Sequence, residues 1–184
     1  MNQVDLFLAS GFEEIELVTV ADILRRADIR TRLVSIDSKL AVTGAHHITI
    51  KADIDLPTAD SSHTQMLVLP GGGAGTQAMI ACTALHQRLQ QHLAAGKPVA
   101  AICAAPMILA KANLLHGINA VCYPGCEEAL IKAGANIQSD DVVVDGLITT
   151  SRGPATAAAF AFELVRQLKG EAISQKLIKE MLFA

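Results

Sequence analysis

The stretch AAICAAPMIL, residues 100–109, decides the fold. Small apolar residues run into a cysteine, and a proline follows three positions later. PVAAI (98–102) reads as a buried strand and PMILAKANLL (106–115) as a helix with proline in its first turn, where the missing N–H costs nothing. Cys103 therefore falls in a tight strand-to-helix turn between Ala101, Ala104 and Ala105. Such a turn lifts a nucleophile above a sheet, as the elbow of α/β hydrolases does. Amides at the start of the following helix are expected to favour a thiolate and lower its pKa.

The same alternation extends in both directions. Strands are expected at 4–10, 30–36, 65–70 and 117–123, and hairpins at 40–53 and 141–151, the second turning at Asp145-Gly146. Helices are expected at 13–27, 77–95, 126–135, 154–170 and 171–183. Short apolar strands between helices predict an α/β fold, a mostly parallel sheet covered by helices on both faces. No linker interrupts the pattern, so one domain over 1–184 is expected.

In such sheets ligands bind beyond the carboxyl ends of the strands. Four strand exits carry unusual chemistry: SGFEEIE after the first, GGG after MLVLP, Cys103 after PVAAI, and SRGP after GLITT. Parallel strands would bring all four to one edge. Gly71, Gly72 and Gly73 leave their amides unobstructed, as an oxyanion hole requires, but lack the Lys-Ser/Thr ending of a phosphate loop. Glu13 and Glu14 fit a helix start that complements the dipole. Glu16 differs, because its helical neighbours Val20, Ile23 and Ala27 are apolar. A carboxyl on that stripe is expected to be partly buried, with a raised pKa suited to proton transfer near neutrality. Ser151 and Arg152 offer an anion contact, or simply a helix cap. Cys82, Cys122 and Cys126 read as core residues. Cys122 and Cys126 have a ligand-like spacing near His116, but no second pair completes a tetrahedral zinc site.

The formal net charge of −3 points to neither nucleic acid nor an anionic membrane. The amino terminus has no basic lead, no apolar run approaches the length of a membrane span, and four cysteines without a signal suit reduced thiols in the cytosol.

GFEEIE, VLPGGG, AAICAAP and TSRGPATA, taken in order, resemble the ThiJ/PfpI superfamily, in particular the branch of the parkinsonism-associated deglycase. The resemblance spans nearly the whole chain. It implies a flavodoxin-like fold, usually a homodimer, and chemistry that needs no cofactor or metal. It places the nucleophile on Cys103, its acidic partner on Glu16, and oxyanion amides on Gly71 and Gly72, with Ala104 adding backbone. It further implies action on reactive dicarbonyls such as methylglyoxal, or on glycated amines of proteins or nucleotides. The rival expectation is a redox-sensing chaperone whose Cys103 is oxidised to the sulfinate. Two positions depart from the pattern. Tyr123 precedes Pro124 where relatives can carry histidine, and Ala104 follows the cysteine where the protease-like branch has histidine. A histidine-assisted mechanism is therefore not expected, and an amidase or peptidase is disfavoured.

Overall fold

The computed structural model describes residues 3–183. A seven-stranded sheet runs through its centre. The strands are β1 (Gln3–Leu8), β2 (Arg30–Ser35), β5 (Ile54–Asp55), β6 (Thr64–Leu69), β7 (Val99–Ile102), β10 (Val142–Asp145) and β11 (Ile148–Ser151), in the order β10-β11-β7-β6-β1-β2-β5. Every pairing is parallel except β10 with β11, the expected hairpin. The carboxyl ends of β1, β6, β7 and β11 therefore share one edge, as the alternation predicted.

Strand alternation sorts the core into two layers. Leu6 and Leu8, Met66 and Val68, and Ala100 and Ile102 face α1 (Glu14–Arg26), α6 (Ala157–Lys169) and α7 (Glu171–Glu180). Phe7, Leu67 and Leu69, and Val99 and Ala101 face α2 (Gly73–Ala81), α3 (Thr83–Ala94), α4 (Pro106–Lys111) and α5 (Glu127–Lys132). Both faces are covered, so the strands are apolar at consecutive positions. No helix among the described residues is long and apolar enough to cross a membrane.

Several expected boundaries shift. The single helix over 77–95 is two helices, and the first begins at Gly73. Cys82 lies between them in an extended conformation (φ −88°, ψ 92°). The apolar phase explains the break. α2 buries Gly75, Thr76 and Met79, a stripe that would continue through 82–83 and 86, whereas α3 buries Leu85, Leu89 and His92. The strand expected at 117–123 reduces to β8 (Asn119–Ala120), paired with β9 (Asn136–Ile137) outside the main sheet. In the main sheet β11 is flanked by β7 and β10. The hairpin over 40–53 forms as β3 (Ala41–Thr43) and β4 (Thr49–Lys51), also apart from the main sheet. α4 stops at Lys111, just before Asn113 takes a left-handed φ of 59°. The helix expected from 154 opens with a 3-10 turn, Pro154–Thr156, before α6 begins.

Candidate active site

Cys103 sits at the exit of β7 with φ 66°, in the left-handed region that side chains other than glycine seldom adopt. Such strain costs about 1–3 kcal/mol and persists only where neighbours enforce it. Here they do. The Cys103 N–H donates to Ser151 O at 2.9 Å, and Cys103 O accepts the Tyr123 N–H at 2.8 Å. The Cys103 peptide is thus held from both sides, by the β11 exit and by the loop after β8. The thiol is turned out of the strand direction and kept mostly buried, 8% exposed.

Glu16, two residues into α1, is completely buried. Its Oε2 accepts the Gly71 N–H at 2.7 Å. Its Oε1 is buried without a hydrogen-bond partner. A carboxylate in that position lacks the donors its second oxygen needs, whereas a carboxylic acid places its proton there. Burial accordingly raises the Glu16 pKa to about 7, against the lowering effects of the Gly71 amide and the Cys103 thiol.

The expectation that helix amides lower the Cys103 pKa is corrected. Burial pushes the thiol up, and the Glu16 charge and hydrogen bond add to that, while the Ala104 and Gly72 amides directed at the sulfur oppose it. Two buried acids facing each other cannot both ionise cheaply, so they share a proton. When that proton sits on Glu16, the sulfur loses its repelling neighbour and keeps both amides. Burial first, and then the facing carboxyl, outweigh the amides at the sulfur.

The glycine turn is also reassigned in part. The sequence alone predicts free amides at both Gly71 and Gly72. The Gly71 N–H is occupied by Glu16, so the amides at the sulfur are those of Gly72 and Ala104. Gly71 has a steric task instead. A β-carbon there would lie 2.7 Å from Cys103 Cβ, 3.0 Å from its Sγ and 2.8 Å from Glu16 Oε2. Gly72, at φ 95°, packs on the β1–α1 turn, where a β-carbon would meet Gly11 O and stand 2.6 Å from Glu13 N. The Glu13 N–H in turn donates to Gly71 O at 3.0 Å.

Ser151 is buried, and its hydroxyl is engaged with Asp141 O and Thr156 Oγ1, both at 2.7 Å. It contributes to the site through its carbonyl, which holds Cys103. Arg152 is exposed beside it. Cys82, Cys103, Cys122 and Cys126 are all free thiols.

Glu14 plays a part that its position in the helix did not reveal. It is buried, and its carboxylate accepts the His46 N–H at 2.7 Å, the His46 ring at 2.9 Å and the Ile48 N–H at 3.4 Å. Despite burial, these bonds hold its pKa at about 2. The β3–β4 hairpin is thereby tied to the start of α1, helped by the Gly11 N–H on Thr43 O and the Ala45 N–H on Phe12 O, each 2.8 Å. Glu13, Glu14 and His46 also bring potential metal-ligating atoms within 4.8 Å of one another, but Glu14 already has its N–H donors. The sequence signal for Glu14 was apolar Leu17 and Ala21 at i+3 and i+7, which dipole complementation concealed.

The sequence pattern of the DJ-1/PfpI family matches residues 2–167. Protein dj-1beta of Drosophila melanogaster is 35% identical over 179 residues, covering 97% of this chain and 96% of that one. A deglycase of Pyrococcus horikoshii is 34% identical over 165 residues, covering 89% and 98%. Among solved structures, oxidised DJ-1 of Toxoplasma gondii superposes with a TM-score of 0.93 at 31% identity, covering 99% of this chain and 98% of that one.

Proposed function

The chain belongs to the DJ-1/PfpI family, and we propose that it is a cysteine-dependent enzyme acting on reactive dicarbonyls such as methylglyoxal and on their early adducts with amines. The observation that carries this is the buried Glu16 carboxyl, poised near neutrality against Cys103. Relatives named as deglycases at 33–34% identity support the reaction class.

The Cys103 sulfur forms a bond to the aldehyde carbon, and its proton passes through Glu16 to the oxygen, giving a hemithioacetal. With an amine adduct the carbon–nitrogen bond breaks as the sulfur bond forms, and Glu16 protonates the departing amine. Glu16 then takes the proton from the former aldehyde carbon and returns it to the neighbouring carbonyl carbon, while the hydroxyl proton of the hemithioacetal passes to that carbonyl's oxygen. The hemithioacetal becomes a thioester of a 2-hydroxy acid without net oxidation. Water cleaves that thioester, releasing lactate from methylglyoxal and restoring the thiol. A carboxyl with pKa near 7 is half-protonated at neutral pH and can serve as acid and base in turn. Amides of Gly72 and Ala104 support negative charge on sulfur and on the adjoining oxygen.

We further propose that the protein works as a homodimer in the cytosol. Ile15 and Val18 project from α1 at 56% and 47% exposure, and Ile48 on the adjoining hairpin is 54% exposed. Three large apolar side chains around one clasp suit contact with a second copy. Light scattering on wild type and on Ile15→Asp/Val18→Asp tests this, with a dimer expected only for wild type. The enzymatic proposal is tested by lactate release, with wild type and Cys103→Ser compared.

A further inference from the structure

Beside the nucleophile lies a hollow of about 240 Å³, walled by Tyr123, Pro124, Asp141, Arg152, Gly153 and Pro154. One wall bonds directly to the peptide of Cys103, Tyr123 N–H meeting Cys103 O at 2.8 Å, and the other begins at Arg152, next to Ser151, whose O accepts the Cys103 N–H at 2.9 Å. The hollow therefore adjoins the Cys103 peptide, although the thiol itself is not part of its wall. Its middle is apolar. The Tyr123 ring lies over Gly153, where a β-carbon would stand 3.2 Å from Cδ2, and two prolines flank it.

Its rim carries one cation and one anion. Arg152 and Asp141 are both exposed, and neither forms an ion pair among the described residues. The backbone sets their positions, because Asp141 O accepts the Ser151 hydroxyl at 2.7 Å and the Arg152 N–H at 3.3 Å. Opposite charges held near each other yet unpaired are complementary to a zwitterion. A slot with an apolar middle and this rim fits a hydrocarbon stem ending in an ammonium and a carboxylate.

We propose that the hollow receives the departing amine of a glycated substrate, and that it selects free lysine or arginine modified on the side-chain nitrogen over the same side chain within a protein. This rests on the function proposed above. The modified nitrogen lies at Cys103, and the stem runs along Tyr123, Pro124 and Pro154. The α-carboxylate meets Arg152 and the α-ammonium meets Asp141. Inside a protein both α groups are neutral amides, and the rim has nothing to recognise.

The chain has one tyrosine and no tryptophan, so tyrosine emission reports on this hollow alone. Cys103→Ser is titrated with free lysine and with Nα-acetyl-lysine amide, alone and combined with Arg152→Gln or Asp141→Asn. In parallel, amine release from the methylglyoxal adducts of both compounds is followed for the protein with Cys103 intact. Free lysine is expected to bind at least about tenfold more tightly, its adduct to be preferred by a similar factor, and Arg152→Gln to erase both preferences. Equal response to the two compounds, or preferences that survive Arg152→Gln, overturns the proposal. Amine release without discrimination overturns the hollow's role and leaves the enzymatic reading intact. Arg152-dependent lysine binding with no release from any adduct does the reverse.

Discussion

The carboxyl of Glu16 and the thiol of Cys103 close on the same face of Gly71, so that one added carbon there would lie 2.8 Å from Oε2 and 3.0 Å from Sγ. Two acids that titrate as a pair are held together by the absence of a side chain at a third residue. What the pair can do follows from that closeness and from the burial of both groups.

Gly71→Ala should cost activity without unfolding the protein. The methyl group would have to displace Cys103 Cβ or Glu16 Oε2, and a misplacement of that order typically costs about 100-fold in rate. Dicarbonyl turnover should fall accordingly while the circular dichroism spectrum stays that of wild type. A variant keeping more than half of the activity would show that the separation of the two groups is not critical.

Glu16 makes stability depend on pH with a definite sign. Its pKa is about 7 in the folded protein, against an ordinary value of 4.5. Below about pH 4.5 the group is neutral in both states. Between there and about pH 7 the unfolded chain releases the proton that the folded protein keeps, so stability falls as pH rises, and above about 7 the loss is complete. Glu16→Gln removes this dependence. Relative to wild type it should gain about 3 kcal/mol between pH 4.5 and 8 in denaturant unfolding. A difference that does not change with pH would place the carboxyl in a solvated setting.

Much of this was legible in the sequence, and the failures have particular causes. Cys103 at an elbow and Glu16 on an apolar stripe follow from helical periodicity and from small residues around a strand end. The phase change between Met79 and Leu85 was also present in the sequence, but a run of helix formers without proline hides it. What periodicity could not show is which amide serves which acceptor. Gly71 and Gly72 look identical in a glycine run, yet one N–H meets Glu16 and the other the sulfur. The direction of the Cys103 pKa is hidden from the sequence for a related reason. Helix amides are visible from local sequence, whereas burial and the facing carboxyl depend on residues nearly ninety positions away.

Glu14 should prove to be a clasp. In Glu14→Ala the amides of His46 and Ile48 lose their acceptor. Hydrogen exchange at both should accelerate at least about tenfold, because a locally freed hairpin opens without global unfolding. Exchange in β1 and β6 should stay slow. Unchanged protection at His46 and Ile48 would mean that the backbone bonds from Gly11 and Ala45 suffice to hold the hairpin.

Graded peroxide should add two oxygens to Cys103 and then pause. A sulfinate at that position would meet the Gly72 and Ala104 amides and, from protonated Glu16, a charge-assisted hydrogen bond. Peptide mass spectrometry should find the sulfinic form dominant in wild type and less so in Glu16→Gln. Direct passage to the sulfonic acid in wild type would show that the pocket does not hold that intermediate.

The central claim is that Cys103 and Glu16 together turn a dicarbonyl into a 2-hydroxy acid. Its most direct test is to measure methylglyoxal loss and lactate formation side by side for wild type, Cys103→Ser and Glu16→Gln. Wild type should release one lactate per methylglyoxal consumed, Cys103→Ser none, and Glu16→Gln lactate at a rate about 100- to 10,000-fold lower. Lactate formation that persists in Cys103→Ser, or methylglyoxal loss in wild type without lactate, would contradict the account.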